Sequence, residues 1–409
     1  MLCLLFPLIV FALGLAGYWM GGRVRRWTGS FGSMSVTQNV ALTRDRSEAY
    51  RVKPGPWGDL ECVPIFIEIP DEYLAIRVHE ADVPRWFFAN YSPTGVSNLF
   101  ESVALSHEAK QELLDAGKWE ATSTGVFVRP PPATVQALDP DARAKIYSIL
   151  SKSDSNPAQS QAYSWTEESA NQFFESADIA PATRDLVKKL SYRRGKLVVF
   201  SDLPVVLQSL TDEVEKRRLE KALSRRPTLL VRFILNPETD VAGLVKYWGR
   251  AGFGKDIEPI LQAAARVPGG TKLSILNVLP PEPTAHLYTF PFPTAGAEFD
   301  CHWTSFNFFK NNPDPPTNDG SFWKHKLDTE YYPVATDPRY GDIAMLVRPN
   351  GVIIHSCVYL ADDIVYTKNG ANSTVPWTLM RIPDLLEAYA PEAADGETLR
   401  VEYYRNKSY

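Results

Sequence analysis

The hydrophobic pattern opens with a run at residues 2–20 that carries no charged side chain and is rich in Leu, Phe, Val, Ile and Ala. At about 1.5 Å per helical residue it is long enough to cross a bilayer core, and it is apolar on every face. It predicts an anchor or signal over residues 1–22. An uncleaved single-pass anchor is expected, because no charged region precedes the run and no clear small-x-small cleavage site follows it. Residues 23–58 are polar and irregular, end in Lys53-Pro54-Gly55-Pro56-Trp57-Gly58, and predict a linker. Beyond them, residues 63–69 and 73–79 predict paired strands, and residues 125–129 add to that sheet, with a helix at 106–114 between. Asp139-Pro140 supplies a cap and a first-turn proline for a helix over 139–147. Further helices are expected near 180–189, 210–223, 240–248 and 256–265, and buried strands at 197–200 and 228–235. Alternating charges over 213–226 predict a solvated helix face. The glycine-rich residues 249–254 lack the context of a phosphate loop and predict a turn between helices. The pattern therefore divides into an α/β middle region, residues 59–275, which could form two subdomains, and a C-terminal domain, residues 276–409.

A chain of 409 residues has ample material for two or three cores. The formal net charge of −5, with no basic tract beyond the N-terminal region, argues against a nucleic-acid partner. Four widely spaced cysteines and six histidines with no H-x-x-x-H pair make neither a metal-type spacing nor a disulfide framework. No metal and no cofactor are expected.

The candidate chemistry lies in the C-terminal domain. Cys301 follows Asp300 at the expected start of a helix, where the macrodipole favours a thiolate. His355 lies in the apolar strand pattern of residues 352–360, from which an imidazole can face the thiol and serve as base. Cys357 shares His355's side of that strand and reads as a core thiol. Asp342, after Gly341, reads as stabilising the start of a strand.

Over residues 287–404 these blocks resemble the NlpC-like family of papain-fold cell-wall peptidases. Tyr288 stands where the family has its upstream tyrosine, Asp300-Cys301 matches the nucleophile dipeptide, and Gly341-Asp342 and His355 match the next two strands in the family's usual order. The resemblance implies an α+β protein whose C-terminal papain-like domain packs a nucleophile helix on an antiparallel sheet. It implies a cysteine peptidase acting on peptidoglycan stem peptides, with Cys301 as nucleophile and His355 as base. Thr367 falls near the family's third polar residue, and Asn369 shares its strand face; an Asn carbonyl orients an imidazole better, so Asn369 is expected as the third group, with Thr367 as the alternative. Tyr288 is expected near the thiolate or the substrate, with a packed aromatic as the other reading. Asp300 is expected to take the substrate amine or cap the helix. His302 should point away from the side that Cys301 uses and could line the cleft. The family commonly has Ser-Gly after the cysteine, where this chain has His302-Trp303.

Arg23, Arg25 and Arg26 follow the apolar run with no Lys or Arg before it, which by the positive-inside rule places the chain in the cytoplasm. A cell-wall peptidase needs the opposite side, and the extracytoplasmic side is the one expected. Two other functions fit the same residues: acyl transfer to or from lipids by the Cys-His pair, and a catalytically inactive envelope-binding protein.

Overall fold

The computed structural model describes residues 38–39, 48–76, 84–153, 155–160, 162–292, 299–317, 319–390 and 398–409. The apolar run at 2–20 and most of the expected linker lie outside them. The protein is a mixed α+β molecule built on antiparallel sheets, and among the described residues no helix is long and apolar enough to cross a membrane.

Mostly apolar runs make the centre of the C-terminal sheet. Ile343–Val347, Ile353–Ala361 and Ile364–Lys368 are buried along their whole lengths, as runs without polar alternation require. They form the centre of a six-stranded antiparallel sheet in the order Tyr331–Val334, Arg400–Asn406, Ile343–Val347, Ile353–Ala361, Ile364–Lys368, Trp377–Arg381. A helix covers each face. Cys301–Phe306 sets Trp303 and Phe306 in the core of Met345, Val358 and Tyr366. Ile382–Tyr389 sets Leu385, Ala388 and Tyr389 in the core of Ala344, Ile354 and Cys357. Met345 alternates with Ala344, and Val358 with Cys357, so the two helices lie on opposite sides.

The cores do not divide at residue 275. Arg226–Leu235 pairs with Leu60–Ile67 and Thr271–Ser274, and Tyr50–Arg51, expected to be linker, forms the outer strand. This sheet shares one core with the C-terminal sheet through Leu60, Val231, Trp248 and Trp377. Thr228 Oγ1 ties the two together, accepting from Leu379 N–H at 2.9 Å and facing the Leu379 carbonyl at 3.2 Å. Residues 84–224 build a core of their own around Trp86, Tyr147, Trp165 and Leu219. They are an insertion between two neighbouring strands, because Ile67 and Arg226 are register partners.

The start of Ile343–Val347 is clamped as expected for Asp342. Its buried carboxylate accepts the Arg339 N–H at 2.8 Å and the Arg405 side chain at 2.6 and 2.9 Å. Arg250 joins it at 3.2 Å and reaches the Tyr409 carbonyl at 2.9 Å.

Several expected elements form with their caps: His107–Leu114 under Ser106, Pro140–Leu150 under Asp139, and Val241–Trp248 under Asp240. Pro181–Leu190 and Gly254–Ala265 also form, and Arg250–Gly252 makes the turn before the latter. The helix expected over 210–223 forms as Glu213–Ser224, and a further helix, Leu203–Ser209, precedes it. The expected strand at 73–79 is a correction. Asp71–Ile76 is a helix, because the Pro70 carbonyl accepts the N–H groups of Tyr73 and Leu74, and Asp71 and Glu72 suit a helix's first turn; residues 77–79 lie outside the described set. Gly125–Val128 pairs with Trp86–Ala89 inside the insertion instead of joining Leu60–Ile67.

Candidate active site

Asp300 makes the helix that carries Cys301. Its Oδ1 accepts the Trp303 N–H at 2.7 Å and its carbonyl accepts the Thr304 hydroxyl at 2.8 Å, so the carboxylate is a helix cap and not a free substrate ligand. The helix spans six residues, which limits any macrodipole effect to little more than one turn. Cys301 is 3% exposed. Burial first, then the Asp300 carboxylate, push its thiol well above the ordinary range. The Ser356 backbone N–H and the Lys368 ammonium pull the other way. The described thiol is therefore neutral at pH 7.

His302 does not point away from Cys301's side. It is buried, and a ligand-type atom from each of Asp300, Cys301 and His302 lies within 4.8 Å of the other two. Ser356 Oγ donates to the Cys301 carbonyl at 3.2 Å and stands 2.9 Å from His302 Nδ1, so the imidazole lies between helix and sheet instead of lining a cleft. With Asp300 engaged as a cap, we read this trio as polar packing at the helix start. Tyr288 is also not at the thiol. Its hydroxyl donates to the Leu229 carbonyl at 2.7 Å, on the second sheet, which is the packed-aromatic reading.

His355 follows from strand alternation. Ser356 faces the Cys301 helix, so the side chain of His355 leaves the other face and meets the Ile382–Tyr389 helix. It is 0% exposed. Thr367 Oγ1 donates to Asn369 Oδ1 at 3.0 Å, so it accepts from His355 Nε2–H at 2.9 Å. The basic lone pair then lies on Nδ1, and the Tyr389 hydroxyl, 2.8 Å away, donates to it. Both ring nitrogens are taken, and no hydrogen bond joins the imidazole to Cys301. The Cys301 sulfur and the His355 ring instead flank the same stretch of strand, the sulfur by the Ser356 N–H and the ring one residue earlier.

Of the two candidates for the third group, Thr367 is the one that meets the imidazole. Strand Ile364–Lys368 ends before residue 369, so Asn369 has left the shared face and reaches the imidazole only through the Thr367 hydroxyl. Cys357 is the core thiol expected, its sulfur 3.5 Å from the Ala344 carbonyl. Two participants were missed from sequence. Tyr389 is thirty-four residues from His355, and no local spacing signals it. Lys368 is a fully buried cation donating to the Asn372 carbonyl at 3.2 Å, and it read as one more strand residue.

Burial, then the neighbouring His302, holds the His355 imidazole well below its ordinary range. The unfolded chain takes up a proton near pH 6.5 that the folded chain refuses. Stability from the neutral ring is thus complete above pH 6.5 and falls with pH below it, by at most about 1.4 kcal/mol per unit. His355→Gln should flatten the dependence of the denaturant midpoint on pH between 6.5 and 5. An unchanged slope would assign the dependence to another group.

No family model matches this chain, and neither does any curated protein or solved structure.

Proposed function

We propose that the C-terminal domain is a papain-like cysteine hydrolase of amide bonds, with peptidoglycan stem peptides as its substrate class, and that the described arrangement is its shut state. The observation supporting this reading is the oriented imidazole. His355 is held through Nε2 by Thr367, one residue from the peptide N–H that meets the Cys301 sulfur. An imidazole oriented by a polar group is one half of the arrangement nucleophilic catalysis requires; the other half, a thiol within its reach, belongs to the open state.

The proposed reaction needs a rearrangement: the Tyr389 hydroxyl leaves Nδ1, and the imidazole and the thiol, which lie on opposite faces of the sheet in the shut state, come to one face. The thiol proton then passes to Nδ1, and the sulfur attacks the amide carbonyl carbon. In this proposal the Cys301 and Ser356 N–H groups, which meet the sulfur in the shut state, turn to the developing oxyanion. Nδ1 returns the proton to the leaving nitrogen as the C–N bond breaks. Water, deprotonated by Nδ1, then cleaves the thioester and releases the acid and the free thiol.

Burial of the thiol and capping of Nδ1 also fit a catalytically inactive binding protein. The lipid acyl-transfer reading loses the support of the bulky His302-Trp303 step, because both rings are buried in the domain. Purified peptidoglycan and acylated lipids, incubated separately with the full chain and followed by mass spectrometry, separate these readings. Release of peptide fragments, lost in His355→Gln, is expected. Lipid deacylation without peptide release would replace the proposal, and inertness of both the parent and Tyr389→Phe would leave the binding protein.

Tyr389→Phe should raise the hydrolysis rate about tenfold, because a net hydrogen bond of about 1.4 kcal/mol no longer holds the base. A slower variant would make the hydroxyl part of the working site instead of its plug.

A further inference from the structure

A cavity of about 450 Å³ opens where the insertion meets the end of strand Leu60–Ile67, and none of its lining residues belongs to the candidate active site. Its volume is that of a small-molecule pocket. Phe66 and Phe173 give it an aromatic wall, backed by Trp165, which is 1% exposed and stacks on Phe173 at 5.1 Å and 28°. Helix Glu213–Ser224 and the residue after it give it a cationic one. Arg217, Lys221 and Arg225 recur at a spacing of four, which puts them on one side of the helix.

Acidic neighbours do not exhaust these cations. Lys221 pairs with Asp71 at 2.9 Å. Arg225 Nε, however, stands 3.9 Å from Glu68, beyond hydrogen-bond reach. That Nε is shielded from solvent and has no hydrogen-bond partner, a state that costs stability unless an acceptor arrives. Arg217 makes no ion pair among the described residues and is exposed at the rim. The cavity thus offers an aromatic wall, a half-buried guanidinium over the Phe66 ring whose shielded Nε has an unused donor, and a second guanidinium at its mouth.

We infer that this cavity binds a small organic anion built on a flat ring system. Phe66 and Phe173 take the ring by packing and burial, and Arg225 and Arg217 take its carboxylate or phosphate. The bound molecule would touch both the insertion and the strand it interrupts, since Phe66 and Glu68 line the cavity with Trp165 and Arg217.

Isothermal titration of the full chain with 2-naphthoate and with 2-naphthylmethanol, which share the ring and differ in charge, tests this. Saturable 1:1 binding of the naphthoate is expected, at least tenfold tighter than the alcohol and weakened by salt. Arg217→Gln, at an exposed position, should weaken the naphthoate at least threefold without changing the melting temperature, and Arg225→Gln should weaken it further. Ser176→Trp, at the exposed rim, should block both ligands. Absence of saturable naphthoate binding, equal affinity for the two probes, or unchanged affinity in Arg217→Gln and Ser176→Trp would each overturn the assignment.

Discussion

Cys301→Ala should lower amide hydrolysis by at least about 10⁴-fold, the scale on which removal of a covalent nucleophile leaves only binding and oxyanion stabilisation. Folding should hardly change. The substitution deletes one buried sulfur and its contact with the Ser356 N–H, while the Ser356 and Ser305 hydroxyls bond the residue 301 carbonyl, which the alanine retains. A stability loss near 1 kcal/mol is expected. Parent-like melting with abolished hydrolysis is the supporting outcome. Parent-like hydrolysis would remove Cys301 from the mechanism, whatever its position at the helix start. The buried neutral thiol adds a second readout: the parent should react slowly with iodoacetamide near pH 7.

Gly341→Ala should destabilise the C-terminal domain by about 3 kcal/mol, the sum of a left-handed backbone and overpacking. Residue 341 has φ +85°, and a Cβ there would lie 2.1 Å from Cε2 of Phe309. The ring has little room to retreat, because Tyr340, Phe308 and Tyr409 pack around it at centroid distances of 5.5, 5.0 and 4.8 Å. The turn also delivers Asp342 to Arg250 and Arg405, so its distortion strains a buried charge cluster. Chemical denaturation measures the loss. A shift under 1 kcal/mol would mean that the Phe309 cluster repacks.

Much of the C-terminal sheet was readable because its central strands are mostly apolar runs between turns, and the helix start was readable from Asp300. The partner of His355 was not. Alternation says that residues 355 and 356 leave opposite faces, but only packing decides which face meets the Cys301 helix. Ser356 took that place, and His355 met a tyrosine from a distant helix. Asn369 was preferred for its chemistry and lost to Thr367 because the strand ends at Lys368. The strand expected at 73–79 yielded to Pro70, whose carbonyl starts a helix despite the β-forming side chains that follow. The domain boundary was misplaced because a strand's composition does not say which of two sheets will share its core.

The register of Ile67 with Arg226 has a kinetic consequence. A chain emerging from the ribosome presents Leu60–Ile67 long before its antiparallel partner exists. The insertion has its own core and can close while that strand waits with unpaired edges. The host sheet, and with it the layer beneath Cys301, can be completed only once Arg226–Leu235 and the C-terminal strands have been made, so this chain assembles from its middle outward.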